Sequence, residues 1–200
     1  VFGRTGSPWL AAHGNETYEI VRRRLFQDLD AEGEKARDET VKAFHDLYKK
    51  NPAEFPAFAK EGSYAELLRI AYPIHPELFE RLSKDWSTLE KFQKTRGVLR
   101  TMANIVSVMW SMRSRDPLIL PARVPIADER VKSSVIYPLD AAFSAVIDSE
   151  VDGERSTPAR METAAGRRLS QARAATRAAR AVFLCSAPTV GQPNAGVNGQ

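Results

Sequence analysis

Apolar positions along the chain recur mostly three and four residues apart, the spacing of one face of an α-helix. Tyr18, Val21, Leu25 and Leu29 form the first such stripe, and Asn15 is a good N-cap with Glu16 in the first turn. Val41 and Phe44, with Leu47 and Tyr48, predict a second helix over 38–50 that opens near Glu34 and stops at Asn51-Pro52. Ser63 is placed to cap a short helix from Tyr64 to Ile70. Pro73 and Pro76 bracket His75 and exclude helix there, because proline lacks an N–H and restricts the residue before it. Pro76 suits the first position of a short helix over Glu77–Leu82, with His75 as its cap. A longer helix is predicted over 86–112, with Leu89, Phe92, Leu99, Met102, Val106 and Met109 on its apolar face. Pro117–Pro121 is apolar and bounded by prolines, fit for an edge strand or an extended segment docked on helices. Glu129–Val135, with Asp128 as its cap, and Asp140–Ile147 are predicted helical, with a break at Pro138. Thr157-Pro158 opens a last long helix to Phe183, weakest at Gly166. The fold class is mainly α with short extended segments.

Composition narrows the class without naming an activity. The 200 residues are 43% hydrophobic and 27% charged, ordinary for a globular chain with one sizeable core or two small ones. The formal charge of +4 permits an anionic partner without requiring one. Cys185 is the single cysteine, which excludes an intrachain disulfide and a cysteine-rich zinc site. No apolar run approaches the ~18 residues of a membrane helix, so no membrane partner and a cytoplasmic location are expected. The first residue is Val rather than Met, and the chain is expected to be a fragment of a longer one.

Catalytic chemistry is sparse. Gly3-Arg4-Thr5-Gly6-Ser7-Pro8 lacks the lysine and the preceding apolar strand of a phosphate loop. Neither a nucleophile elbow nor a zinc-binding histidine helix occurs. His45 has no ligand-type partner at matching spacing. Asp148, Glu150, Asp152 and Glu154 cluster in a predicted polar loop, but not in the array of a calcium loop, and no metal is expected. Arginines carry the remaining interest. Arg96 and Arg100 are one turn apart and share a face, with Gly97 between them, which a tightly packed helix or a bound nucleotide would explain. Arg22, Arg23 and Arg24 fan about 100° apart around their helix, so at least one lies near the buried edge. They are either a solvated face or phosphate contacts. Arg173, Arg177 and Arg180 form a stripe on the last helix, either solvated or in contact with phosphates of nucleic acid or nucleotide.

Pro73-Ile74-His75-Pro76-Glu77-Leu78, followed by Phe92-Gln93-Lys94-Thr95-Arg96-Gly97-Val98-Leu99-Arg100, resembles the large bacterial ATP-binding proteins of domain-of-unknown-function family 499. The resemblance runs from Asn15 to Thr189. It implies a P-loop ATPase of the AAA+ type, found near DNA methyltransferases and helicases in phage-defence gene clusters. Glu19–Phe26 is similar to the helix that begins the family's lid, and Gly97-Val98-Leu99-Arg100 to the Gly-x-x-Arg pattern of the sensor-2 helix. Residues 1–14 are then a linker or the end of a nucleotide-binding core. Residues 15–115 become a helical, lid-like domain, 116–189 a second helical region and 190–200 a disordered tail.

On that resemblance Arg100, then Arg96, would sense the nucleotide, with Arg22–Arg24 as further phosphate contacts. ATP and Mg2+ would serve the full-length parent and would not be held by this region alone, which is not expected to be catalytic by itself. Partners would be the rest of the parent chain, DNA, and a methyltransferase or helicase. The alternatives are a non-catalytic helical module that binds DNA or a partner protein, and a purely structural helical domain.

Overall fold

The computed structural model describes residues 14–190, with side chains from Tyr18 onward. Expectations for the glycine-containing start and the tail beyond Val190 lie outside the described residues, and Asn15, expected as a cap, already lies within the first helix, Gly14–Leu25. The chain divides between Tyr72 and Pro73 into two compact units.

The first unit holds α1 (Gly14–Leu25), α2 (Ala31–Lys50) and α3 (Gly62–Ala71). Asp30, rather than a residue near Glu34, opens α2: its carboxylate accepts the Gly33 N–H at 2.8 Å. That satisfies a donor with no intrahelical partner, and Glu32 and Glu34 favour the same end of the helix dipole. Asn51 closes the helix, its backbone N–H and its Nδ2 both donating to the Leu47 carbonyl. α3 packs against both α1 and α2, burying Val21, Val41, Leu68 and Ala71. The Tyr48 ring lies 4.7 Å from Phe55 and 6.1 Å from Tyr64, and burial pushes its hydroxyl pKa up to about 12. Leu47, predicted on the apolar face, is exposed.

The second unit begins with an extended pairing. His75 N–H donates to the Ile119 carbonyl at 3.1 Å, and Ile119 N–H to the Pro73 carbonyl at 2.8 Å. This parallel bridge is the single β-contact among the described residues, and it anchors the proline-bounded segment. His75 then caps α4 (Pro76–Glu80), its Nδ1 accepting the Glu77 N–H at 3.1 Å.

The helix expected over 86–112 is not continuous. A π-helical turn (Arg81–Asp85) and two 3-10 turns (Trp86–Thr88 and Glu90–Phe92) precede α5, which runs only from Lys94 to Ser111. Gln93 reverses the chain in the left-handed conformation, φ 65°. The cause is burial: Trp86 and Phe92 are both fully enclosed, with ring centroids 6.1 Å apart, which a straight helix would not allow. Leu89 and Phe92 therefore lie off the α5 stripe. Its buried line is Val98, Met102, Ile105 and Met109, and Leu99 and Val106 are only half-buried. Gly97 does have a close neighbour, the chain's own backbone at Phe92. A Cβ there would meet the Phe92 carbonyl oxygen, with the Phe92 carbonyl carbon 2.9 Å away.

α5 packs on α6 (Glu129–Ile136), across the border expected at 115/116. Asp128 caps α6, accepting the Arg130 N–H at 3.0 Å. α7 is one turn, Phe143–Val146, and a π-helical turn (Ile147–Val151) follows it. The last helix is three pieces: α8 (Thr157–Ala164), α9 (Arg167–Ala172) and α10 (Ala174–Ser186). Ser156 caps α8, one residue before the expected Thr157. Breaks fall at Gly166 (φ 88°) and at Arg173 (φ 48°). They fold α10 back on α8, where the buried Glu162 accepts the Thr176 N–H at 2.7 Å and its hydroxyl at 3.0 Å. A carboxylate from one helix thus caps the start of the next. At the other end of α10, the Trp86 indole donates to the Leu184 carbonyl at 2.8 Å. No helix among the described residues is long and apolar enough to cross a membrane.

Two predictions follow from this packing. Helix propensity alone has Gly97→Ala stabilise by about 1 kcal/mol. The backbone in its way has it destabilise by about 1–3 kcal/mol, since the buried Phe92 segment has little room to move. We expect destabilisation in urea unfolding read by tryptophan fluorescence; a gain in stability would refute the close approach. Burial pushes the His75 pKa down to about 4, so the folded state holds the ring neutral while the unfolded chain binds a proton near 6.5. This contribution is fully present above about pH 6.5 and is lost as pH falls toward 4, by up to about 3 kcal/mol. His75→Asn keeps a cap acceptor without that titration. Its unfolding midpoint should fall less than the parent's between pH 7 and pH 4.5, and parallel pH profiles would remove His75 as the source.

Candidate functional site

Arginines in three surroundings are the candidates. The first lies in the opening unit, where Arg22, Arg37 and Arg69 line a cleft of about 530 Å³ with Glu19, Asp28, Glu34 and Glu66. All three are already paired. Arg22 approaches Asp28 at 3.5 Å, while Asp38 accepts from both Arg37 and Arg69 at 2.9 Å. The Arg37 hydrogen bond holds the Asp38 carboxyl below its ordinary range. Of the Arg22–Arg24 run, Arg22 is the one at the buried edge, Arg23 pairs with Glu19 at 2.6 Å, and Arg24 is exposed. The cleft is a charge-compensated network with an apolar margin of Leu29, Ile70 and Tyr72.

The second surrounding is the outward face of α5. Arg96 and Arg100 are both exposed there, one turn apart as expected. The Arg100 guanidinium lies over the Tyr137 ring, 5.3 Å from its centroid. Such a contact is worth about 0.5–1 kcal/mol at an exposed site, enough to orient the side chain and too little to occupy it. Neither arginine has a carboxylate partner among the described residues.

The third is on α10, and here the expected stripe of Arg173, Arg177 and Arg180 comes apart. Asp152, with 1% of its side chain exposed, accepts the Arg180 guanidinium at 2.6 Å and lies 3.7 Å from that of Arg173. Its other oxygen accepts the Ala127 N–H at 2.8 Å. Arg180 is itself only 12% exposed, so it is a buried structural cation rather than one of a solvated row. Arg173 sits at the helix break, and Arg177 is half-buried between the two. By sequence, Asp152 belongs to a polar, acidic loop. Its partner lies 28 residues away, and no local pattern signals the pair. Asp148, on the π-helical turn just before Asp152, holds the buried Lys132, both oxygens at 2.7 Å. No group of three His, Cys, Asp or Glu side chains among the described residues could hold a metal ion.

The model of the DUF499 second domain matches residues 12–197. The chain belongs to the DUF499 family. The DUF499 match spans both compact units and includes every candidate arginine. No curated protein and no solved structure gives a significant match. Within this DUF499 chain the candidate arginines sort by what neutralises them: Arg22, Arg23, Arg173 and Arg180, like Arg37 and Arg69 of the cleft, have carboxylates within 4 Å, whereas Arg24, Arg96, Arg100 and Arg177 do not among the described residues.

Asp152→Ala leaves Arg180 buried and unpaired, which typically costs about 3–5 kcal/mol. Asp152→Asn keeps the acceptor for Ala127 and should lose less. Equilibrium unfolding of both variants checks this, and a loss below about 0.5 kcal/mol for Asp152→Ala would show that the pair does not hold α10.

Proposed function

We propose that this chain is a helical regulatory region of an ATP-binding protein of the AAA+ type, in which Arg100 senses the state of the bound nucleotide. The observation that carries the reading is that Arg100 is oriented by the Tyr137 ring yet left without a carboxylate among the described residues. An arginine held in place but not neutralised is suited to an anionic group that arrives from elsewhere. Its planar fork can take two phosphate oxygens at once. In the parent it would face the β- and γ-phosphates, stabilise charge during phosphoryl transfer, and tie the nucleotide state to the angle of the helical region. Arg96, on the same face, is the second contact. The Gly97-Val98-Leu99-Arg100 resemblance to a sensor-2 helix and the family's description as a second domain support the reading.

The described residues have no cluster suited to Mg2+, which would be held by other parts of the parent. A cytoplasmic, phage-defence setting with a DNA methyltransferase or helicase partner belongs to the same proposal. The second reading, a non-catalytic module for DNA or a protein partner, is favoured by Arg177 on α10, which has no carboxylate within 4 Å among the described residues.

In the full-length parent, Arg100→Ala should lower steady-state ATP turnover by about one to two orders of magnitude. Its melting temperature should hardly move, since only an exposed ring contact is lost. Arg100→Lys should restore part of the rate, Arg96→Ala should do less damage, and the 200-residue chain alone should not turn over ATP. Unchanged turnover in a folded Arg100→Ala parent would remove the sensor role. A large fall in melting temperature would make Arg100 a structural residue instead.

A further inference from the structure

α10 packs against the turn Pro121–Arg123, and this contact gathers cations. Arg180 and Arg173 reach Asp152 from α10, while Arg123 on the turn reaches Asp116 at 3.0 Å. Arg177 lies on α10 between Arg173 and Arg180, half-buried, with no carboxylate within 4 Å among the described residues. Asp116 and Asp152 thus hold Arg123, Arg173 and Arg180, Glu162 is committed to Thr176, and Arg177 is left over. The Nε–H of Arg180 is also buried without an acceptor among the described residues. Burial, then the like charge of Arg123, and further those of Arg180 and Arg173, hold the Arg177 pKa below the ordinary arginine value against the pull of Asp116.

Like charges brought together at a half-buried place destabilise a fold unless a counter-charge joins them. We propose that Arg177 forms an anion site for a phosphate group, carried by a nucleotide or by nucleic acid. Arg123, Arg173 and Arg180 do not bind the ligand; they supply background positive charge while they hold Asp116 and Asp152. The fork-shaped donors of a guanidinium suit a tetrahedral oxyanion with several acceptor oxygens. The site is separate from Arg100 and does not rest on the ATPase reading.

The test uses the whole 200-residue chain. Inorganic phosphate is titrated at constant ionic strength, with chloride as the balancing anion, and binding is read by calorimetry and by thermal melts. Wild type should bind saturably and melt at a higher temperature. Arg177→Gln should weaken binding at least tenfold and melt no lower than wild type without phosphate, because a repelling charge has gone. Arg177→Lys, which keeps charge but loses the fork, should bind with intermediate affinity. Arg160→Gln, an exposed arginine on α8, should bind as wild type does. Competition by ATP assigns the phosphate to a nucleotide; competition by a duplex oligonucleotide, weakening with salt, assigns it to nucleic acid. Equal responses to phosphate and chloride would overturn the proposal. So would unchanged binding in Arg177→Gln, a variant that is unfolded or melts well below wild type, or competition by neither ligand.

Discussion

A carboxylate as enclosed as Asp152 is stable in a folded chain only if other groups answer its charge and its lone pairs. Arg180 and Arg173 supply the charge, and the Ala127 N–H supplies a further donor. These contacts join the loop before α6, the turn after α7 and the last helix. α10 is then secured at both ends: Glu162 from α8 caps its start, and the Trp86 indole takes a carbonyl near its close. The Phe183 ring packs against Trp86 and Phe143 in the same region. Much of the second unit is arranged to bring these polar groups together around one short helix.

That arrangement divides the arginines by role. A guanidinium with a carboxylate against it is largely neutralised and holds structure. One without is a resource for ligands, because its charge and its directional donors are still open. Arg180 belongs to the first kind, Arg100 and Arg177 to the second. The cleft of the first unit makes the same point from the other side. It is roomy and rich in arginine, yet Arg22, Arg37 and Arg69 are all answered by acids. Cavity size and cation count do not by themselves make an anion site.

The local signals in the chain are strong where they depend on neighbours in sequence. The helical class, the His75 cap ahead of Pro76, the Asp128 cap and the shared face of Arg96 and Arg100 all follow from rules that span a few residues. Arg22 at the buried edge follows from the rotation of three consecutive arginines around a helix. The family could likewise be approached from the phrases around His75 and Gly97, and the match over residues 12–197 bears that out.

The remainder required contacts between distant residues. Periodicity is blind to a helix break that is enforced by packing elsewhere. The 86–112 stripe is almost regular, yet Trp86 and Phe92 could both be enclosed only by reversing the chain at Gln93. The same holds at Arg173, which takes a left-handed conformation so that Thr176 can reach Glu162. The break leaves Arg173 at the helix boundary and buries Arg180 against Asp152, whereas Arg177 stays unanswered. The sequence alone determined the helical class, the caps at His75 and Asp128 and the shared face of Arg96 and Arg100, because those properties are set by steric and capping rules within one or two turns. Which arginines remained open to a ligand was decided by tertiary structure, because the carboxylates that neutralise the others come from residues far along the chain.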